Sequence, residues 1–134
     1  MKRLAYLLLF LSSFLSAKHY DYAFFLHEPG ESIAIIPIVE EFDRQKRNFI
    51  CVVSGIACDL VKSDNSIHLS SVTGSRPLAN DLVRDYKLTT KEIEKIKEHI
   101  DADAVITGVG MDFFGQILDA YKGKKTYAFW DNLS

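Results

Sequence analysis

Residues 20–26 run with almost no polar break, as a strand does when it is buried on both faces of a parallel sheet. His27, Glu28, Pro29 and Gly30 end the run. From Glu31 the apolar spacing becomes helical: Ile36, Val39 and Phe42 recur at i, i+3 and i+6, the stripe a helix lays on a sheet. Ser32 or Gly30 is expected near the N-cap, with Glu31 favourable at the positive end of the helix dipole. Arg44, Lys46 and Arg47 close the helix with positive charge. Pro37 interrupts it, and a mid-helix proline costs about 3 kcal/mol. The helix is therefore expected either to begin late or to bend at Pro37. A strand feeding a helix through a glycine-containing turn leaves backbone N–H groups where an anion can sit.

The rest of the chain repeats that alternation. A second strand is predicted over residues 48–54, ending at Gly55, and a short helix over 57–62. A third strand over 67–72 leads to the polar loop Thr73-Gly74-Ser75-Arg76-Pro77, and a helix over 78–86 follows. Thr89 and Glu92 have capping-box spacing for a helix that turns Ile93, Ile96 and Ile100 inward. A strand over 104–107 exits through Gly108-Val109-Gly110. A helix over 112–121 then has Phe114, Ile117, Leu118 and Tyr121 on its sheet face, with Gly123 at C′. The last strand is predicted over 126–130, with Trp130 in the core. The pattern predicts a Rossmann-like three-layer α/β/α fold with a mostly parallel five-stranded sheet and right-handed connections.

The first seventeen residues differ in character. Lys2 and Arg3 precede an apolar stretch over 4–15 broken only by Ser12 and Ser13, and Ser16-Ala17 follows. This is the layout of a secretory signal peptide, too short for a bilayer span of about twenty residues. A cleaved signal is expected, with an uncleaved N-terminal signal or anchor helix as the alternative. Residues 18–134 then form one α/β domain that is exported, periplasmic or secreted, or held at a membrane through residues 1–17. The whole chain has 134 residues, 48% of them apolar and 25% charged, and a formal charge of −2. That suits one compact domain and argues against a nucleic-acid partner, which a basic chain would fit. Cys51 and Cys58 are expected as two buried free thiols, although an exported chain permits a disulfide. The four histidines are scattered, without Cys-x-x-Cys or His-x-x-x-His spacing, so neither a metal nor a cofactor is expected.

Ligands of a parallel α/β sheet collect at the carboxyl ends of its strands. The residues there include Gly30, Glu31, Ser32, Gly55, Thr73, Gly74, Arg76, Thr107 and Gly108, which form the expected ligand-binding set. Glycines, hydroxyls, carboxylates and one arginine suit a phosphorylated or sugar-like ligand held by backbone N–H groups and Arg76. Gly108-Val109-Gly110 lacks the third glycine of a dinucleotide fingerprint and lies outside the first strand–turn–helix unit.

Residues 31–39, ESIAIIPIV, resemble the first helix of the non-hydrolysing UDP-N-acetylglucosamine 2-epimerases, where a Gly-Thr-Arg-Pro-Glu loop leads into a helix with an internal proline. Residues 101–134 resemble the later part of the same N-terminal lobe: a strand, a glycine loop, a helix, and a strand ending in an acid. Those enzymes share the two-lobed GT-B architecture with many sugar transferases. The resemblance implies an acceptor-side lobe of a glycosyltransferase-like or epimerase-like enzyme with a sugar or nucleotide-sugar ligand. It also implies a missing second lobe, so that this lobe is incomplete or inactive alone. It assigns Asp131 the place of the family's catalytic glutamate. Three departures stand against it: Glu28-Pro29-Gly30 replaces the loop arginine, Gly108-Val109 replaces a Gly-Asp pair, and the enzymes are cytoplasmic. The alternative is an exported solute-binding or protein-binding α/β module that performs no catalysis.

Overall fold

The computed structural model describes residues 18–80 and 83–130. The segment expected as signal or anchor over 1–17 and the acid expected at Asp131 lie outside the described residues. Among the described residues no helix is long and apolar enough to cross a membrane.

The chain builds β1 (Lys18–Leu26), α1 (Pro29–Arg44), β2 (Phe49–Val53), α2 (Ala57–Leu60) and β3 (Ser66–His68). It continues with α3 (Leu69–Thr73), α4 (Thr90–His99), β4 (Ile100–Gly108), α5 (Asp112–Ala120) and β5 (Lys125–Phe129). The five strands form one sheet in the order β3-β2-β1-β4-β5, every neighbouring pair parallel. This is a Rossmann-like α/β fold. Strand order reverses between β1 and β4, which opens a crevice at their carboxyl ends.

Successive side chains of a strand point to opposite faces, so the unbroken run of β1 feeds both layers. Ala23 and Phe25 join Ile50, Val52 and Val105 under α3, α4 and α5, where Leu69, Val72, Ile96, Phe113, Phe114 and Ile117 are buried. Phe24 and Leu26 join Phe49, Cys51 and Val53 under α1 and α2, against Ile35, Val39 and Ala57. Each buried large side chain contributes about 1.5–3 kcal/mol. β5 forms one edge and is exposed along almost its whole length.

Several local expectations need correction. Helix α1 begins at Pro29, ahead of the expected start at Glu31 and Ser32, because Glu28 and not Ser32 or Gly30 is the N-cap and Glu31 sits at N3 in a capping-box arrangement. It runs on through Pro37. Its buried stripe is Ile35 and Val39, with Phe42 packed beside them. The third strand stops at His68. Residues 69–73 coil into one helical turn that ends at Gly74 in the left-handed region, whose N–H donates to the Ser70 carbonyl. No helix forms over the described residues 78–80 and 83–86. Tertiary bonds hold this part of the chain instead. Leu88 N–H donates to Gln116 Oε1 at 2.7 Å, and Gln116 Nε2 donates back to the Leu88 carbonyl at 2.9 Å. Strand β4 starts at Ile100, immediately after α4, with Ala102 and Ala104 buried on either side of the exposed Asp103. The Thr89–Glu92 capping box is present as expected, with Glu92 N–H donating to Thr89 Oγ1 at 3.1 Å. Cys51 and Cys58 are both free, the first buried and the second half-buried.

Candidate functional site: the crevice between β1 and β4

The crevice at the reversal of strand order has a volume of about 370 Å³. Glu28, Gly30 and Glu31 supply one wall, from the start of α1. Val109 and Gly110 supply the floor beyond β4, and Arg84, Phe129 and Trp130 complete the rim. Arg84 is anchored through its carbonyl, which accepts from Asp112 N–H at 2.8 Å.

Glu31 dominates the electrostatics. It is only 4% exposed, and its Oε1 accepts from the N–H groups of His27 at 2.9 Å and Glu28 at 2.6 Å. Burial raises the carboxyl pKa above its usual range, while those backbone donors pull it down. The carboxylate occupies the place where the expected anion would meet the helix start. An external phosphate would meet a resident negative group there and not open N–H donors. Gly108 makes this arrangement possible: a Cβ at that position would stand 2.7 Å from Glu31 Cγ and 3.0 Å from Phe114 Cε2.

Directly behind lies His27, 1% exposed. Its Nδ1 lies 2.9 Å from Ser54 Oγ, which itself donates to the Leu26 carbonyl at 3.4 Å. With Ser54 donating to that carbonyl, Nδ1–H is the donor to Ser54, and the Nε2 lone pair faces no partner among the described residues. Burial lowers the His27 pKa and keeps the ring neutral. The ring packs on Gly55, where a Cβ would come within 2.5 Å of Cε1. Ser32 Oγ is likewise buried with no partner among the described residues.

The expected ligand set therefore divides. Gly30 and Glu31 line the crevice, and Gly108 lies under Glu31. Ser32 is buried in the start of α1. Thr107 is buried and donates to the Gly108 carbonyl at 2.8 Å. Thr73 donates to the Leu69 carbonyl at 3.1 Å, so it closes its own helical turn, and it does not line the crevice. Gly74 is the left-handed C-cap of that turn. Arg76 is exposed on the loop beyond and does not line the crevice. Gly55 faces a second cavity, of about 260 Å³, at the ends of β2 and β3. The strand exits thus share one edge of the sheet but form two depressions.

Besides Glu28, Val109 and Gly110, which adjoin expected positions, three crevice residues lie away from the expected ligand set. Trp130, expected in the core, is 75% exposed on the rim. Its position just past β5, beside the other strand ends, is the signal that points to it. Phe129 carries the same signal. Arg84 carries none, because a tertiary bond to α5 brings it there. At the opposite end of the sheet, His19, Asp21 and Asp103 hold ligand-type atoms within 4.8 Å of one another. All three are exposed, and the His19 pKa is raised, chiefly by its 2.9 Å hydrogen bond with Asp101. Comparison with protein-family models, with curated proteins and with solved structures yields no match.

Proposed function

We propose that the crevice between β1 and β4 binds a sugar, free or nucleotide-linked, and that the chain acts as the acceptor-side lobe of a GT-B-like glycosyltransferase or epimerase. The observation that carries the reading is the pairing of Glu28 and Glu31 with the aromatic rim of Phe129 and Trp130 around one opening. Carboxylates accept from hydroxyl groups, and an aromatic face takes the apolar side of a pyranose ring. Arg84 is the cation available in the crevice for a nucleotide phosphate.

One observation favours the non-catalytic alternative, an exported sugar-binding module. Glu31 is committed to two backbone N–H donors, which leaves it poorly placed to exchange a proton with substrate. Recognition then falls to Glu28, Arg84 and the aromatic rim.

Trp130 is the only tryptophan, so its emission reports directly on the crevice. Titration with N-acetylglucosamine, UDP and UDP-N-acetylglucosamine is expected to change that emission for both sugar-bearing ligands. Glu28→Gln should weaken both, and Arg84→Ala only the nucleotide form. Unchanged emission and an unchanged thermal midpoint with all three at millimolar concentration would reject sugar binding. Conversion of a bound nucleotide-sugar, followed by product analysis, separates enzyme from binding module.

A further inference from the structure

The second cavity holds chemistry that the sugar crevice does not use. Val53 ends β2 beside His68, the last residue of β3, in the register of the parallel pair. The chain then turns at Ser54-Gly55 and brings Cys58, in α2, back over those strand ends. Cys58 Sγ lies 3.5 Å from His68 Nδ1, within hydrogen-bonding reach for sulfur. Both side chains line the cavity of about 260 Å³, whose other walls are Val53, Pro77, Leu78 and the hydroxyl-bearing Ser54 and Ser70. His68 is exposed and Cys58 half-buried, so solvent and small molecules can reach the pair.

We infer that Cys58 and His68 form a base-assisted thiol nucleophile that adds to small, uncharged carbon electrophiles entering this cavity. With its proton on Nε2, the imidazole accepts the thiol hydrogen at Nδ1. As the Sγ–C bond forms, the thiol proton passes to His68. With iodoacetamide as electrophile the C–I bond breaks and iodide leaves, so no oxidant or further reactant enters. The apolar walls and small volume favour a compact neutral reagent over a charged one. Burial, with Asp59 nearby, pushes the thiol pKa up. Cys58 is thus a protonated thiol at neutral pH, and its reactivity depends on a neighbouring base. Cys51 is the internal control: it is wholly buried and its pKa is pushed up to about 12.

The test is site-resolved alkylation of the folded protein by iodoacetamide, read by peptide mass spectrometry. Cys58 is expected to label and Cys51 to remain unlabelled until the chain is denatured. Glutamine at this place has no basic site to take the thiol proton, so His68→Gln is the decisive variant; it should slow Cys58 labelling at neutral pH about tenfold or more. In the wild type, because the neighbouring ring and not hydroxide takes the proton, the labelling rate should rise much less than tenfold per pH unit between pH 7 and 9. An unassisted thiol would keep rising about tenfold per pH unit up to its own pKa. That wild-type profile decides the matter even where the variant fails to fold. Equal or faster labelling in a folded His68→Gln protein, or a wild-type rate that rises tenfold per unit through pH 9, would overturn the assignment.

Discussion

Replacing Glu31 by alanine tests how the crevice is held open. The substitution removes the acceptor for two backbone N–H donors, those of His27 and Glu28. A buried donor left unpaired costs about 1–3 kcal/mol. The lost capping interaction is of the order of 1 kcal/mol, but it overlaps with the Glu28 donor and is not added again. The crevice lets water reach part of the space, which places the expected loss near 2–4 kcal/mol. For a domain of this size the urea dependence is about 1–3 kcal/mol per molar, so the unfolding midpoint should fall by roughly 1–2 M, measured by far-UV circular dichroism. Glu31→Gln keeps an oxygen for both donors and discards the buried charge. The raised Glu31 pKa means that the folded state disfavours ionisation, so the glutamine variant should lose much less than the alanine variant at pH 7. A loss below about 1 kcal/mol for alanine, or equal losses for the two, would refute the account of Glu31 as the acceptor that closes the end of β1.

Two further outcomes follow from neighbouring contacts. Gly108→Ala drives a methyl group against Glu31 and Phe114 and should cost about 1–3 kcal/mol, read as a lowered thermal midpoint. Combined with Glu31→Ala it should cost clearly less than the two losses summed, since the main obstacle is gone. His27 has a folded-state pKa lowered by burial, so protonation favours the unfolded chain. Its contribution to stability is complete above the ordinary histidine range near pH 6.5 and drains as pH falls below it. His27→Gln should therefore flatten the dependence of the urea midpoint between pH 7 and 5. The opposing Glu31 titration is common to both proteins and cancels in their difference; parallel curves would contradict the assignment.

Where contacts are local, the chain shows them plainly. The unbroken run ending at Leu26 marks a strand buried on both faces, and the Thr89–Glu92 spacing marks the start of α4. The start of α1 misleads because Glu28 is a poor N-cap by preference and succeeds only with Glu31 beside it. Residues 67–72 carry the residue types of a strand, yet β3 has only β2 to pair with and soon coils. The stretch before Leu88 has helical spacing but is held by Gln116, twenty-eight positions away. Trp130 is apolar and so suggests an interior place; only the position of β5 at the sheet edge puts it on the rim. The two depressions were not separable in advance, because their division depends on how the β1 and β2 exits fold back.

Pro37 sits eight residues into α1 and has no N–H to offer the carbonyl of Ile33. One rung of the ladder is absent between the half that carries Glu28 to Ser32 and the half that Val39 pins to the sheet. Buried contacts make up for the missing rung on either side of it: Glu31, Ser32 and Ile35 seat the proximal turns and Val39 the distal ones, so the wall of the crevice at Glu28 is fixed by packing against the sheet and not by the ladder of its own helix.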